Sequence, residues 1–136
     1  MNVEHYAYTP GDLEVVTAHD AIIIDATSDA IDISGAKAIC IEFTGTGITT
    51  REAVLTATIS VDGTNFHAYS MLIDNAANTN AQTLLRVASK TRTATGTDIL
   101  WMTPETLAFK EMKIAIDITD SGTPAGSYTV NVAIFR

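Results

Sequence analysis

The sequence is short of cysteine, charge and long apolar runs, and each shortage closes a class of explanation. Cys40 is the only cysteine, so an intramolecular disulfide and a multi-cysteine zinc site are both excluded. Set between Ile39 and Ile41, it reads as a small buried apolar residue rather than a reactive thiol. No apolar run approaches the ~20 residues of a membrane-spanning helix. Residues 1–5 show neither the basic nor the apolar region of a signal peptide. The expectation is a soluble chain made in a cytoplasm, with no membrane partner. Eight basic residues stand against sixteen acidic ones, for a net charge of −8. That field repels phosphate backbones and argues against a nucleic-acid partner. Charged residues of both signs make up 18%, below the roughly 25% usual for soluble domains. Thr, Ala, Ser and Asn take their place. A β-branched, uncharged surface suits sheets, and it suits close contact between copies.

What is present is alternation. Ile114, Ile116 and Ile118 alternate with Ala115, Asp117 and Thr119, and Tyr128, Val130, Val132 and Ile134 alternate with Thr129, Asn131 and Ala133. Successive side chains of a strand point to opposite faces, so each run lays an apolar ladder on one side. The Gly- and Pro-containing stretch 120–126 between them reads as the turn of a long antiparallel hairpin. Residues 37–43 alternate in the same way, with Ile39, Ile41 and Phe43 on one face and Ala38, Cys40 and Glu42 on the other. Thr44-Gly45-Thr46-Gly47 reads as the end of that strand, with a polar loop over 48–52. In the next strand, 53–61, Leu55, Ala57, Ile59 and Val61 face inward. Asp62-Gly63 then gives a strong hairpin-turn signal. Further strands are expected at 21–26, 31–35, 66–73, 84–89 and 99–102, and one short helical candidate at 104–110. Leu13, Val15 and Thr17 suggest a short strand within an N-terminal arm, residues 1–20, ahead of a domain spanning 21–136. With about eight to ten strands and no helix of useful length, the pattern predicts an all-β, two-sheet antiparallel β-sandwich, jelly-roll-like or immunoglobulin-like.

No catalytic constellation emerges. His5, His19 and His67 lack metal-ligand spacing and read as exposed or interface residues. The serines have no nucleophile-elbow pattern. Asp25, Asp29, Asp32, Asp117 and Asp120 fall at loops, where a carboxylate cluster can bind calcium. Without the spacing of a calcium loop they read as turn caps. No cofactor and no enzymatic activity are expected. Trp101, flanked by Leu100 and Met102, reads as buried at a sheet edge. The informative excess lies at 66–73, where both faces carry large apolar groups. A strand of that kind is covered on both sides. His67, Tyr69, Met71 and Ile73, together with Phe135, form the expected self-association surface. Tyr6 and Tyr8 on the arm either pack on their own domain or reach a neighbouring subunit.

The segment Ser60-Val61-Asp62-Gly63-Thr64-Asn65-Phe66, with the closing ladders 113–118 and 128–132, resembles parts of small β-sandwich virion proteins of tailed viruses, including head decoration (cement) proteins. The resemblance implies a structural protein whose copies cluster, often as trimers, on a capsid and contact the major capsid protein. It carries no catalytic residues. A virion component made in the host cytoplasm also accommodates a chain without export signal or disulfide. The alternatives are a carbohydrate- or ligand-binding module using Trp101 or Tyr69, and a subunit of an extracellular filament or surface layer.

Overall fold

A strand of 23 residues would span roughly 75 Å if straight, whereas a compact chain of this length has a radius of gyration of about 14 Å. The computed structural model, which describes residues 13–74, 84–102 and 109–136, contains two strands of that size. In chain order the strands are β1 (Leu13–Ile22), β2 (Ala26–Thr27), β3 (Ile31–Asp32), β4 (Ala38–Ser60), β5 (His67–Tyr69), β6 (Met71–Asp74), β7 (Leu84–Val87), β8 (Lys90–Arg92), β9 (Gly96–Met102) and β10 (Glu111–Phe135). They form one antiparallel ten-stranded sheet in the order β1-β10-β4-β9-β6-β7. The strands β2 and β3 also pair with β10, and β5 and β8 with β4. The chain is thus all-β, as its alternation predicts, but hydrogen bonding joins its strands into a single sheet instead of two. Tyr6, Tyr8, the 75–82 loop and most of the short helical candidate lie outside the described residues.

The expected hairpin within 114–134 does not form. Both apolar ladders belong to β10, and each pairs with β4: Ile116 with Leu55 on one side, Val132 with Ile41 on the other. Likewise 44–52 does not end a strand, because β4 runs through it. The glycines act as bulge formers instead of turn formers. Register slips occur between Asp120 and Ala125 and between Ala125 and Ser127. Around them Gly47, Thr50, Gly122 and Gly126 take positive φ, and bulges of this sort bend a strand without ending its pairing. On both sides of the slips the same faces are apolar. Odd positions of β4 (Ile39, Ile41, Phe43; Ala53, Leu55, Ala57, Ile59) and even positions of β10 (Met112, Ile114, Ile116; Tyr128, Val130, Val132, Ile134) are all buried. They join one core cluster.

Side chains cross between the two halves. The Tyr128 hydroxyl lies 2.7 Å from the Arg51 carbonyl and 3.0 Å from that of Arg92, with one proton to share. Its ring packs 5.6 Å from that of Phe43. His19 of β1, expected at the surface, is buried and bonds through Nε2 to the Ile114 carbonyl at 2.8 Å. The Arg51 guanidinium grips the bend: Nε and Nη2 donate to the Asp120 carboxylate at 2.7 and 3.0 Å, and Nη1 donates to the Gly126 carbonyl.

Three further expectations shift. The N-terminal strand runs across the boundary placed at residue 20 and pairs with β10 from Leu13 to Ile22. The 21–26 run splits: Ala21, at φ 48° within a register slip, and Ile22 end β1, and β2 begins only at Ala26; Ile23 and Ile24 between them are 50% and 70% exposed. Val61 lies past the end of β4 and is exposed as well.

A Cβ on Gly126 would sit 2.5–2.7 Å from backbone atoms of Thr46 and Gly47, whereas one on Gly122 would meet only the Thr50 side chain at 3.8 Å or more. Gly122→Ala should therefore cost only the left-handed backbone penalty, about 1–2 kcal/mol. Gly126→Ala should cost clearly more or prevent folding. Urea unfolding of the two variants checks this; equal costs would mean that the bend gives way freely.

Candidate interaction surface

The expected association face around 66–73 is broken at Ser70. There β5, paired with β4 through Ala57 and Ile59, gives way to β6, paired with β7 and β9. His67 is exposed, Tyr69 and Ile73 are partly buried, and Met71 is fully buried in the core. Met71 has no surface to offer a partner, because the whole alternate set faces the core side: His67 and Tyr69 pair with buried Ile59 and Ala57, and Ile73 pairs with buried Leu100. Tyr69 packs on the core, edge-on to Phe109 at 6.0 Å. Phe66 is half-buried beneath the Lys113 ammonium, 4.3 Å from its ring centre. Phe135 is half-buried at the end of β10. The expected residues do not form one continuous face.

A different surface does. Residues paired across antiparallel strands project on the same side of the sheet. Val15 pairs with Ala133, Ala133 with Cys40, Cys40 with Trp101, Trp101 with Leu72, and Leu72 with Arg86. This single row crosses β1, β10, β4, β9, β6 and β7 on the side opposite the core, since the adjacent row holds Ile41 and Leu100, both fully buried. Val15 is 60% exposed and Trp101 38%. Trp101 is therefore not hidden at an edge, and Cys40 is half-buried on the outer face instead of in the core. Burial, followed by the Glu42 carboxylate, pushes the Cys40 thiol up, so it stays protonated at neutral pH. Leu13 pairs with Phe135 in the next row along and extends the apolar area. Sequence reading missed this row because it exists only once five strand registers are set.

The polar groups elsewhere serve the fold. Asp25 accepts from the Ile118 N–H at 2.6 Å, and Asp32 from the Ser34 N–H and hydroxyl. Asp120 is held below the ordinary carboxylate range by Arg51. Among the described residues no group of three or more His, Cys, Asp or Glu is placed to hold a metal, and no buried side-chain nitrogen or oxygen lacks a partner. A hollow of about 320 Å³ beside β1 is lined by Glu14, Thr17, Ser28, Asp29 and Asp32. Glu14 there is already paired with Arg136 at 2.6 Å.

The turn after β4 depends on Asp62. Its carboxylate accepts from the Asn65 and Thr64 N–H groups, both at 2.8 Å, from the Asn65 amide and from the Ser60 hydroxyl. These bonds hold its carboxyl far below the ordinary value of 3.8, the Asn65 N–H contributing most.

No family model and no curated protein matches the sequence. Among solved structures the fold is similar to the crystal structure of the SPBc2 prophage-derived protein YomS. The TM-score is 0.58 at 14% identity, over 92% of this chain and 94% of that one. The likeness is one of fold, to a phage-derived protein.

The sign of the pH dependence at Asp62 follows from its depressed folded value. Its contribution is complete above 3.8, the value of the unfolded chain. It drains away as pH falls from there towards the folded value. The stability gap between wild type and Asp62→Asn should thus be widest at neutral pH and close in strong acid. Thermal melts across the acid range measure it; a gap independent of pH would rule out an ionised Asp62 as the turn's organiser.

Proposed function

We propose that this chain is a non-enzymatic structural protein of a tailed virus whose copies associate with one another and decorate or stabilise the capsid. The observation that carries the reading is the outward apolar row from Val15 to Leu72, a surface that a solitary sheet protein would leave wet. An exposed apolar patch of several hundred Å² marks an interaction site. Covering it at about 25 cal/mol per Å² contributes several kcal/mol. The fold shared with a prophage-derived protein supports a phage setting. The major capsid protein is the second partner that the reading supplies, and the virion is the location.

In this reading the bent β4–β10 ribbon closes on its apolar side, so that the halves of the single sheet face each other as the two layers of a sandwich. The bonds from Tyr128 to Arg51 and Arg92, and from His19 to Ile114, support that closure. The outer face of the β1–β7 half is then left for neighbours.

A second reading rests on the same exposed Trp101, taken as a platform on which a sugar ring stacks in a carbohydrate-binding module. Sedimentation velocity of the purified chain separates the two. Self-association at micromolar concentration, with co-sedimentation on heads of the virus that encodes the chain, is the expected result. A strict monomer at high micromolar concentration, with glycan-array binding abolished by Trp101→Ala, would replace the first reading by the second.

A further inference from the structure

The outer row has a shape as well as a polarity. Val15 and Trp101 are large, and the two residues between them, Ala133 and Cys40, are small. At a strand spacing of about 4.8 Å the two ridges stand roughly 14 Å apart, with a trough two strands wide between them. An indole fits such a trough. A ridge lying beside a hollow on one surface is self-complementary under a two-fold axis, which is the requirement for an isologous dimer.

Size and charge point to the same occupant. Six strands at that spacing and three rows of alternate residues give a face of about 24 by 20 Å, or roughly 500 Å². Two copies would bury about 1,000 Å² in all, where stable biological interfaces begin. The chain carries a net charge of −8, so copies repel one another wherever their carboxylates meet. On this row and the two beside it the charged side chains among the described residues are Glu42, Asp74 and Arg86. With one cation to two carboxylates, the face is close to neutral, and a second equally acidic chain can approach it.

We propose that a second copy of this chain docks on the outer face of β1, β10, β4, β9 and β6. The copies are two-fold related, and each Trp101 indole sits over the Ala133–Cys40 trough of the other. The proposal rests on the self-association reading above and fixes its place and geometry.

Trp101 is the only tryptophan, so its fluorescence reports this contact without labelling. On concentrating the wild-type chain, sedimentation velocity should show a dimer while the Trp101 emission moves to the blue as the indole loses water. Trp101→Glu should weaken association by about 30-fold or more, as for an aromatic anchor at the centre of an interface. Ala133→Trp, which fills the trough while adding apolar surface, should do the same, with an unchanged far-UV spectrum. If the wild type associates and Ala133→Trp associates equally well, the copies meet elsewhere; this face is then wrong while self-association stands. A wild type that stays monomeric at high micromolar concentration overturns both. Should the variants fail to fold, alkylation of Cys40 in the wild type decides: slowing with protein concentration supports the docking, and a constant rate overturns it.

Discussion

The pairing of β4 with β10 has to survive a bend, and everything else in the molecule is arranged around that requirement. A ladder broken at its middle would free the two apolar ladders to lose their common register, so pairing has to resume on both sides of the bend. Bulges at 46–51 and 120–127 let the ribbon turn while pairing resumes on either side. Arg51 stands at that point with its guanidinium on the Asp120 carboxylate and the Gly126 carbonyl, which ties both strands to one group. The Arg51 carbonyl is in turn covered by the Tyr128 hydroxyl. Burial pushes that hydroxyl up, so it remains a donor at any ordinary pH. The bend is thus braced by the buried Arg51 guanidinium on Asp120 and by the largest side chain of the core.

Because the slips do not change which face is apolar, register is protected twice. A one-residue shift of β10 along β4 would carry the whole even-numbered set, Met112 to Ile134, out of the core. It would also pull Asp120 away from Arg51. The smaller strands add little independent specification. Pairs such as β2 and β3 on β10 are two residues long, and they hold because Ser28 and Asp32 supply side-chain bonds to β10 and to their own loop.

Strand content was legible in the sequence because a period of two is a direct consequence of strand geometry. The alternating faces of 38–43, 53–59, 114–118 and 128–134 follow from it, although Cys40, expected to be buried, is half-buried on the outer one. Chain reversal was not legible. Gly122, Gly126 and Gly47 advertise positive φ equally well for a turn and for a bulge. What separates the two is whether the flanking runs pair with each other or with a third strand far away in sequence. At 67–73 the alternation holds but does not say which face is inward. Both faces carry large apolar groups, and only the pairing of Tyr69 with Ala57 and of Ile73 with Leu100 shows that the set containing Met71 points to the core. Trp101 was misjudged by its neighbours: buried Leu100 and Met102 are the reason it must point the other way.

The outer row follows from the same constraint that shapes the core. Once β4 and β10 are locked in register, Cys40 and Ala133 must lie side by side. The strands added at either flank then bring Val15 on one side and Trp101 and Leu72 on the other into line with them. Nothing in the folding of one chain requires those outward positions to be apolar; a strand that meets water on that side is as well served by Thr or Lys. The inner rows explain themselves by burial within the molecule. The outer row does not: in a chain with so large an excess of carboxylates, an apolar band across five strands is the feature that the proposed docking accounts for. On the docking proposed above, electrostatic repulsion would act as a selector: it would keep copies apart where their carboxylates meet and leave this face as the place of contact.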